Sequence, residues 1–124
     1  MPRRVIKDGV AWGPYSPAVV AGNFCFVTGQ AAVDPVTNKP SGGDIQAETR
    51  RTLMNMKAVL EVAGFSMEDV VKVTVYLRDW REWDRMNTAY IEFFPKDQPA
   101  RVAVEVGTMS PGLNIEIDCI AYKE

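Results

Sequence analysis

The chain has 124 residues, of which 47% are hydrophobic and 24% charged, with a net charge of −2 and no histidine. That composition excludes disorder and fibrous architectures, gives no general pull toward nucleic acid, and rules out Ser-His-Asp, Cys-His and histidine-based metal chemistry. No apolar run approaches the roughly 20 residues needed to span a bilayer, and the opening Met-Pro-Arg-Arg-Val-Ile lacks the apolar stretch of a signal peptide, so a cytoplasmic protein without membrane contact is expected.

No repeat, low-complexity tract or Gly/Ser linker divides the sequence, and a single domain over residues 1–124 is expected. Gly22-Asn23 separates the β-prone runs Val19–Ala21 and Phe24–Val27, the pattern of a tight hairpin. The second of these strands delivers Thr28-Gly29-Gln30 at its end. Residues 34–43 carry turn formers and read as a surface loop. Asp44 then caps a helix whose stripe is Ile45, Thr49, Leu53, Met56, Leu60 and Ala63, ended by Gly64. Ser66 to Asp69 resembles a capping box opening a single turn. The alternation of Val71, Val73, Val75 and Leu77 predicts a strand.

Asp79 is the N-cap of a second predicted helix reaching Phe94, where Pro95 stops it. Trp83, Tyr90 and Phe94 form its apolar stripe, and Asn87 falls on the same face, so a polar amide is aimed inward. Two last strands, Arg101–Val106 and Asn114–Tyr122, flank a loop of hairpin composition. The order predicts an α+β domain with two helices packed on one face of a mixed sheet. Cys25 and Cys119 sit in alternating apolar segments and read as packing residues.

Few residues here can carry chemistry. Val102, Val104 and Val106 share one face of their strand, leaving Arg101, Ala103 and Glu105 on the other. Arg101 reads either as a planar fork gripping a carboxylate or as an edge arginine paired with a surface acid. Glu116 is either a general acid/base or a solvated carboxylate. A symmetric hairpin between the last two strands puts Arg101 opposite Cys119 and away from Glu116, so either a bulge shifts the register or another chain completes the site. Tyr15 is presented from a Pro/Gly-constrained loop, to a cleft or over the core. Thr28 and Gly29 offer a hydroxyl and an unhindered N–H to an anion, or form a plain turn. Arg78, Arg81 and Arg85 interleave with Asp79, Glu82 and Asp84, the pattern of a solvated, charge-balanced face. No phosphate loop, zinc-spaced cysteine pair or basic-aromatic helix is present.

In order and spacing these segments resemble the RidA/YjgF family of reactive intermediate/imine deaminases from about Gly13 to Tyr122. The resemblance rests on Gly13-Pro14-Tyr15-Ser16, Phe26 to Gln30, Asn55, Met86 to Tyr90, Pro99-Ala100-Arg101 and Ile115-Glu116-Ile117. It implies a chorismate-mutase-like subunit in a homotrimer with clefts between neighbouring chains. It further implies that Arg101 holds a substrate carboxylate and Glu116 helps position water, with Tyr15, Thr28, Gly29, Asn87 and Ala103 lining the cleft. The implied activity is a 2-iminobutanoate/2-iminopropanoate-type deaminase, a hydrolase that converts reactive imines and enamines to 2-ketoacids and ammonia. Such imines are already electrophilic, so no cofactor, metal or covalent nucleophile is required. Three positions depart from the family pattern: Ala103 replaces a common Cys, Thr28 a common Ser, and Pro17 a common Gln. Met109-Ser110-Pro111 also stands where Leu-Pro is usual. These departures keep open a non-catalytic protein that binds a ketoacid or amino acid. Endoribonuclease activity, a label attached to the family, is disfavoured by the missing histidines and acidic balance.

Overall fold

The structure is a computed structural model that describes residues 3–124; Met1 and Pro2 of the opening segment lie outside the described residues. Six strands form one sheet in the order β1-β2-β3-β6-β4-β5. They are β1 (Arg4–Ile6), β2 (Ala18–Ala21), β3 (Phe24–Ala31), β4 (Val70–Leu77), β5 (Ala100–Glu105) and β6 (Ile115–Tyr122). Helices α1 (Ile45–Ala63) and α2 (Trp83–Tyr90) pack against one another on the same side of the sheet. The predicted α+β class and the two helices on one face are observed. No helix among the described residues is long and apolar enough to cross a membrane.

Local chemistry explains most element boundaries. Gly22, at φ 59°, supplies the left-handed residue that a tight turn between β2 and β3 requires. The Asp44 carboxylate accepts the Ala47 N–H at 2.9 Å to start α1, and Gly64, at φ 90°, ends it. Leu53, Met56 and Leu60 point from α1 into the sheet and are fully buried. From the other side come Val73, Val75 and Leu77 of β4 and Ile115, Ile117 and Cys119 of β6. Cys25 and Cys119 are both free and buried among them.

Four features differ from the sequence reading. Strand β1 was not predicted; its three residues pair with β2 at the sheet edge. In β4 a register shift between Val70 and Lys72 turns Val70 into the core and leaves Val71 exposed, although the alternation had placed Val71 inward. The second helix is not continuous from Asp79 to Phe94. A single 3₁₀ turn, Trp80–Glu82, precedes α2, and after Tyr90 the chain tightens into i→i+3 bonds from Glu92 to Ala89 and Phe93 to Tyr90.

The last difference concerns topology. β5 and β6 are not hairpin neighbours. The loop after β5 carries the chain across β4, so that β6 lies antiparallel between β3 and β4 while β5 runs parallel to β4 at the edge. The expected pairing of Arg101 with Cys119 is therefore replaced by Arg101 beside Val73, and Val73 beside Cys119. Proximity in sequence favours a hairpin, but between β3 and β4 the last strand gains two partners where beside β5 it would have one.

One buried carboxylate fixes where β6 begins. Glu48 of α1 is 1% exposed and accepts the Asn114 N–H at 3.0 Å and the Asn114 side-chain amide at 2.6 Å. Removing it leaves a void under the helix and takes the acceptor from two donors of the exposed Asn114. Glu48→Ala is expected to lose about 3 kcal/mol of stability, seen as a lower urea midpoint at unchanged slope.

Candidate active site

Two half-sites occupy opposite faces of the sheet. The first lies between α2 and the start of β5. Asn87 and Tyr90 are one helical turn apart, and Arg101 reaches toward them from the helix-facing side of the edge strand. The Arg101 Nη1 donates to Asn87 Oδ1 at 2.7 Å, which explains the inward amide foreseen on α2. The guanidinium carbon stands 4.7 Å from the centroid of the Tyr90 ring, within cation–π range. Tyr90 in turn packs on Phe94 with centroids 4.9 Å apart. Burial pushes the Tyr90 phenol up to about 12, opposed by the nearby Arg101 charge. A cavity of about 230 Å³ opens beside Arg101, walled by Asn87, Tyr90, Phe94 and Pro99.

Arg101 has no acidic partner. Among the described residues the ion pairs are Arg50 with Glu92, Arg81 with Asp79, and Arg85 with Asp44 and Glu82. The alternative reading of Arg101 as an edge arginine paired with a surface acid is not what the structure shows. Ala103 lies two residues further along the same face, opposite Val75 at the margin of the core and outside the walls of that cavity.

The second half-site is built where β3 meets β6. Pairing runs from Val27 with Cys119 to Gln30 with Ile117, so Thr28 and Gly29 together stand against one residue of β6 in a β-bulge. Glu116 crosses this bulge on the face away from the helices. A Cβ at Gly29 would overlap the Glu116 carboxylate, so any larger residue there forces that side chain to move. Burial raises the pKa of Glu116, and Asp118 on the same face raises it further. The small cavity beside Glu116, about 90 Å³, is walled by Trp12, Tyr15, Gly29, Asn55 and Ser110.

The loop carrying Tyr15 is tied to β3 through Thr28. The Thr28 hydroxyl donates to the Ser16 carbonyl at 2.5 Å, and the Thr28 N–H donates to the Pro17 carbonyl at 2.9 Å. Tyr15 accepts the Trp12 N–H on its hydroxyl at 3.1 Å, and the Trp12 indole donates to Asn38 at 3.0 Å. Tyr15, Gly29 and Glu116 are thus together, as are Asn87 and Arg101. The two sets are not brought together within one chain. Thr28 acts within this chain as the strut between loop and bulge.

Sequence reasoning missed several contributors. Trp12 carried no pattern beyond its place next to Gly13-Pro14. Asn55 donates to the carbonyls of Ala31 and Val33, holding the chain as it leaves β3. Arg78 departs from the solvated face assigned to the arginine cluster. Its guanidinium donates to the carbonyls of Met109, Ser110 and Leu113, fastening the loop that walls the Glu116 cavity. Its position directly after β4, rather than inside the helix, was the available signal.

The chain is similar to known proteins over nearly its whole length. The family model described as Endoribonuclease L-PSP matches residues 6–123. A RutC family protein of Pyrococcus horikoshii is 53% identical over 112 residues, covering 90% of this chain and 89% of its own. The structure of the E. coli YjgF gene product superposes with a TM-score of 0.90 at 35% identity, covering 98% of this chain and 99% of that one. The chain belongs to the RidA/YjgF family. Another member, E. coli TdcF, whose structure contains bound serine, matches at TM-score 0.90 and 32% identity over 98% of this chain and 99% of that one.

The contact between Gly29 and Glu116 can be tested directly. Gly29→Ala is expected to cost about 1–3 kcal/mol of stability by overpacking. In a Glu116→Ala background the same change is expected to cost less than half as much, measured by thermal unfolding of the four proteins.

Proposed function

We propose that this protein is a hydrolase that deaminates 2-iminoacids, such as the imine form of 2-aminoacrylate, to 2-ketoacids and ammonia. The observation that carries the reading is Arg101, a half-buried guanidinium oriented by an amide and an aromatic ring and left without an anion of its own. Its planar fork suits a carboxylate bound through two N–H groups. Serine bound to a TdcF relative supports a ligand bearing a small amino-acid carboxylate.

With the carboxylate held, the imine carbon needs only water and a proton carrier. Glu116, its pKa raised by burial, accepts a proton from the attacking water as the C–O bond forms. It returns that proton to nitrogen to give the carbinolamine, then takes the proton of the new hydroxyl and passes it to nitrogen as the C=O bond forms and the C–N bond breaks, releasing ammonia and leaving the 2-ketoacid. Orientation and one acid/base group of this kind supply roughly 10²- to 10⁴-fold. The finer assignment to 2-iminobutanoate and 2-iminopropanoate follows the resemblance already described.

The site is completed, in this reading, by assembly into a homotrimer. Arg101 and Glu116 project from opposite faces of the sheet, so one chain presents two incomplete halves. The face away from the helices exposes Phe24, Phe26, Val102, Val104 and Tyr122, each at least one-third accessible. Apolar side chains exposed at both ends of this face, around a polar centre, favour burial against another chain.

Two experiments test the proposal. In a coupled assay, a dehydratase generates 2-aminoacrylate from serine, and semicarbazide traps whatever is not converted. The wild type is expected to divert the flux to pyruvate, Arg101→Ala to lower kcat/KM by about 100-fold or more, and Glu116→Gln to lower kcat by about 100-fold. Tight carboxylate binding without ammonia release would replace the enzyme by a non-catalytic binding protein. For assembly, Val102→Asp is expected to shift the sedimentation mass from three chains to one and to abolish turnover with Arg101 and Glu116 intact. A monomeric variant that still turns over would remove the shared cleft.

A further inference from the structure

Arg101 is held by two neutral groups rather than by an acid, and one of these is not among the residues that the sequence pattern pointed to as lining the cleft. An arginine that must receive a carboxylate faces a conflict. Left free, its long side chain samples many rotamers, which weakens binding by the entropy of ordering it. Fixed by an aspartate or glutamate, its fork is already occupied and its charge neutralised. Asn87 resolves part of this conflict by taking one N–H of Nη1 at 2.7 Å, one of five donors on the guanidinium. That single bond fixes a point but leaves rotation about it.

The remaining freedom is restricted by Tyr90. Its ring faces the guanidinium at 4.7 Å from centroid to Cζ, and a flat π face sets the orientation of a planar cation without consuming an N–H in its plane. The ring itself cannot turn away, because Tyr90 is 6% exposed and packs on Phe94 at 4.9 Å. Its hydroxyl is buried with no hydrogen-bond partner. The phenol makes no hydrogen bond of good geometry, yet it lies close enough to the Arg101 guanidinium for that group to oppose the rise in its pKa, so ring and hydroxyl are told apart by substitution and not by position.

We propose that Tyr90 is a positioning residue whose ring pre-orients Arg101 for a carboxylate, acting through Arg101 and not on the reacting carbon. The inference rests on the proposed role of Arg101 as the carboxylate anchor. It predicts that an aromatic ring at position 90 sets affinity, while the hydroxyl is dispensable.

The test uses the intact protein, with 2-oxobutanoate titrated calorimetrically as the carboxylate probe and deamination followed in parallel. Tyr90→Phe keeps the ring and is expected to bind within twofold of wild type, melting at the same or a higher temperature. Tyr90→Leu is expected to bind about tenfold more weakly, with KM rising in proportion and kcat within twofold. Tyr90→Met, which fills more of the vacated space without a π face, is expected to match Leu and serves if the Leu protein does not fold.

Leu and Met variants that bind like wild type would overturn the inference and leave the deaminase reading intact. So would a Phe variant as weak as the Leu variant, because the hydroxyl would then be the active part. If the wild type binds the probe with the expected ranking yet releases no ammonia, the positioning role holds and the catalytic reading falls. A wild type that does not bind the probe would sink both.

Discussion

Two helices can cover only one face of a six-stranded sheet, and most of this molecule follows from that limit. α1 and α2 bury the face that carries Val73, Val75, Ile115, Ile117 and Cys119. The opposite face is left to Phe24, Phe26, Val102, Val104 and Tyr122, together with the polar group formed by Glu116, Asp118 and Tyr76, whose hydroxyl donates to Asp118 at 3.0 Å. Strand alternation then assigns each chemical residue to one layer or the other. Arg101 goes under the helices at the edge, and Glu116 goes to the open side near the centre. A single subunit with this architecture separates its cation from its acid, and the separation gives the proposed assembly a chemical purpose beyond the covering of apolar surface.

The placement of β6 matters as much as the covering of the sheet. Flanked by β3 and β4, it is held from both sides, and Glu48 anchors its first residues from above through Asn114. Glu116 is the second residue of this strand. A carboxylate whose charged form is penalised by burial benefits from a rigid support, since movement toward water would restore the ordinary value. The Arg101 side is arranged differently. Its support is an edge strand, and orientation comes from side chains of α2, Asn87 and Tyr90, which hold the guanidinium without neutralising it.

Much of this was legible in the sequence where periodicity and capping act locally. The β2-β3 turn at Gly22-Asn23, the limits of α1 from Asp44 to Gly64, the strand alternation of β6 and the inward amide of Asn87 each follow from a few neighbouring residues. What failed depended on pairing between distant segments. Nothing in residues 106–114 distinguishes a hairpin loop from one that crosses β4, so the neighbour of β5 was misassigned. The bulge at Val70 inverted a single position of an otherwise correct strand. Arg78 was grouped with its helical neighbours by spacing, although its targets are carbonyls more than thirty residues away. The members of the two candidate half-sites could be named by residue type, while their separation across the sheet required the topology.

The bulge in β3 also makes chain length part of the site. Two residues, Thr28 and Gly29, span a stretch that takes one residue on β6, and the bulge absorbs the extra one so that Val27 and Gln30, three positions apart, face the same side. Gln30 consequently turns inward, 4% exposed, and donates to the Thr28 carbonyl at 3.0 Å, while Ala31 comes to lie beside Glu116. A lineage can lengthen or shorten the turn-rich segment at 34–43 with little consequence for the sheet. A single deletion between Val27 and Gln30 would remove the bulge, leave both of those residues facing inward in plain alternation, and withdraw Gly29 from the carboxylate. Exchange of Thr28 for another hydroxyl residue keeps this geometry, whereas loss of a residue or a side chain at Gly29 does not.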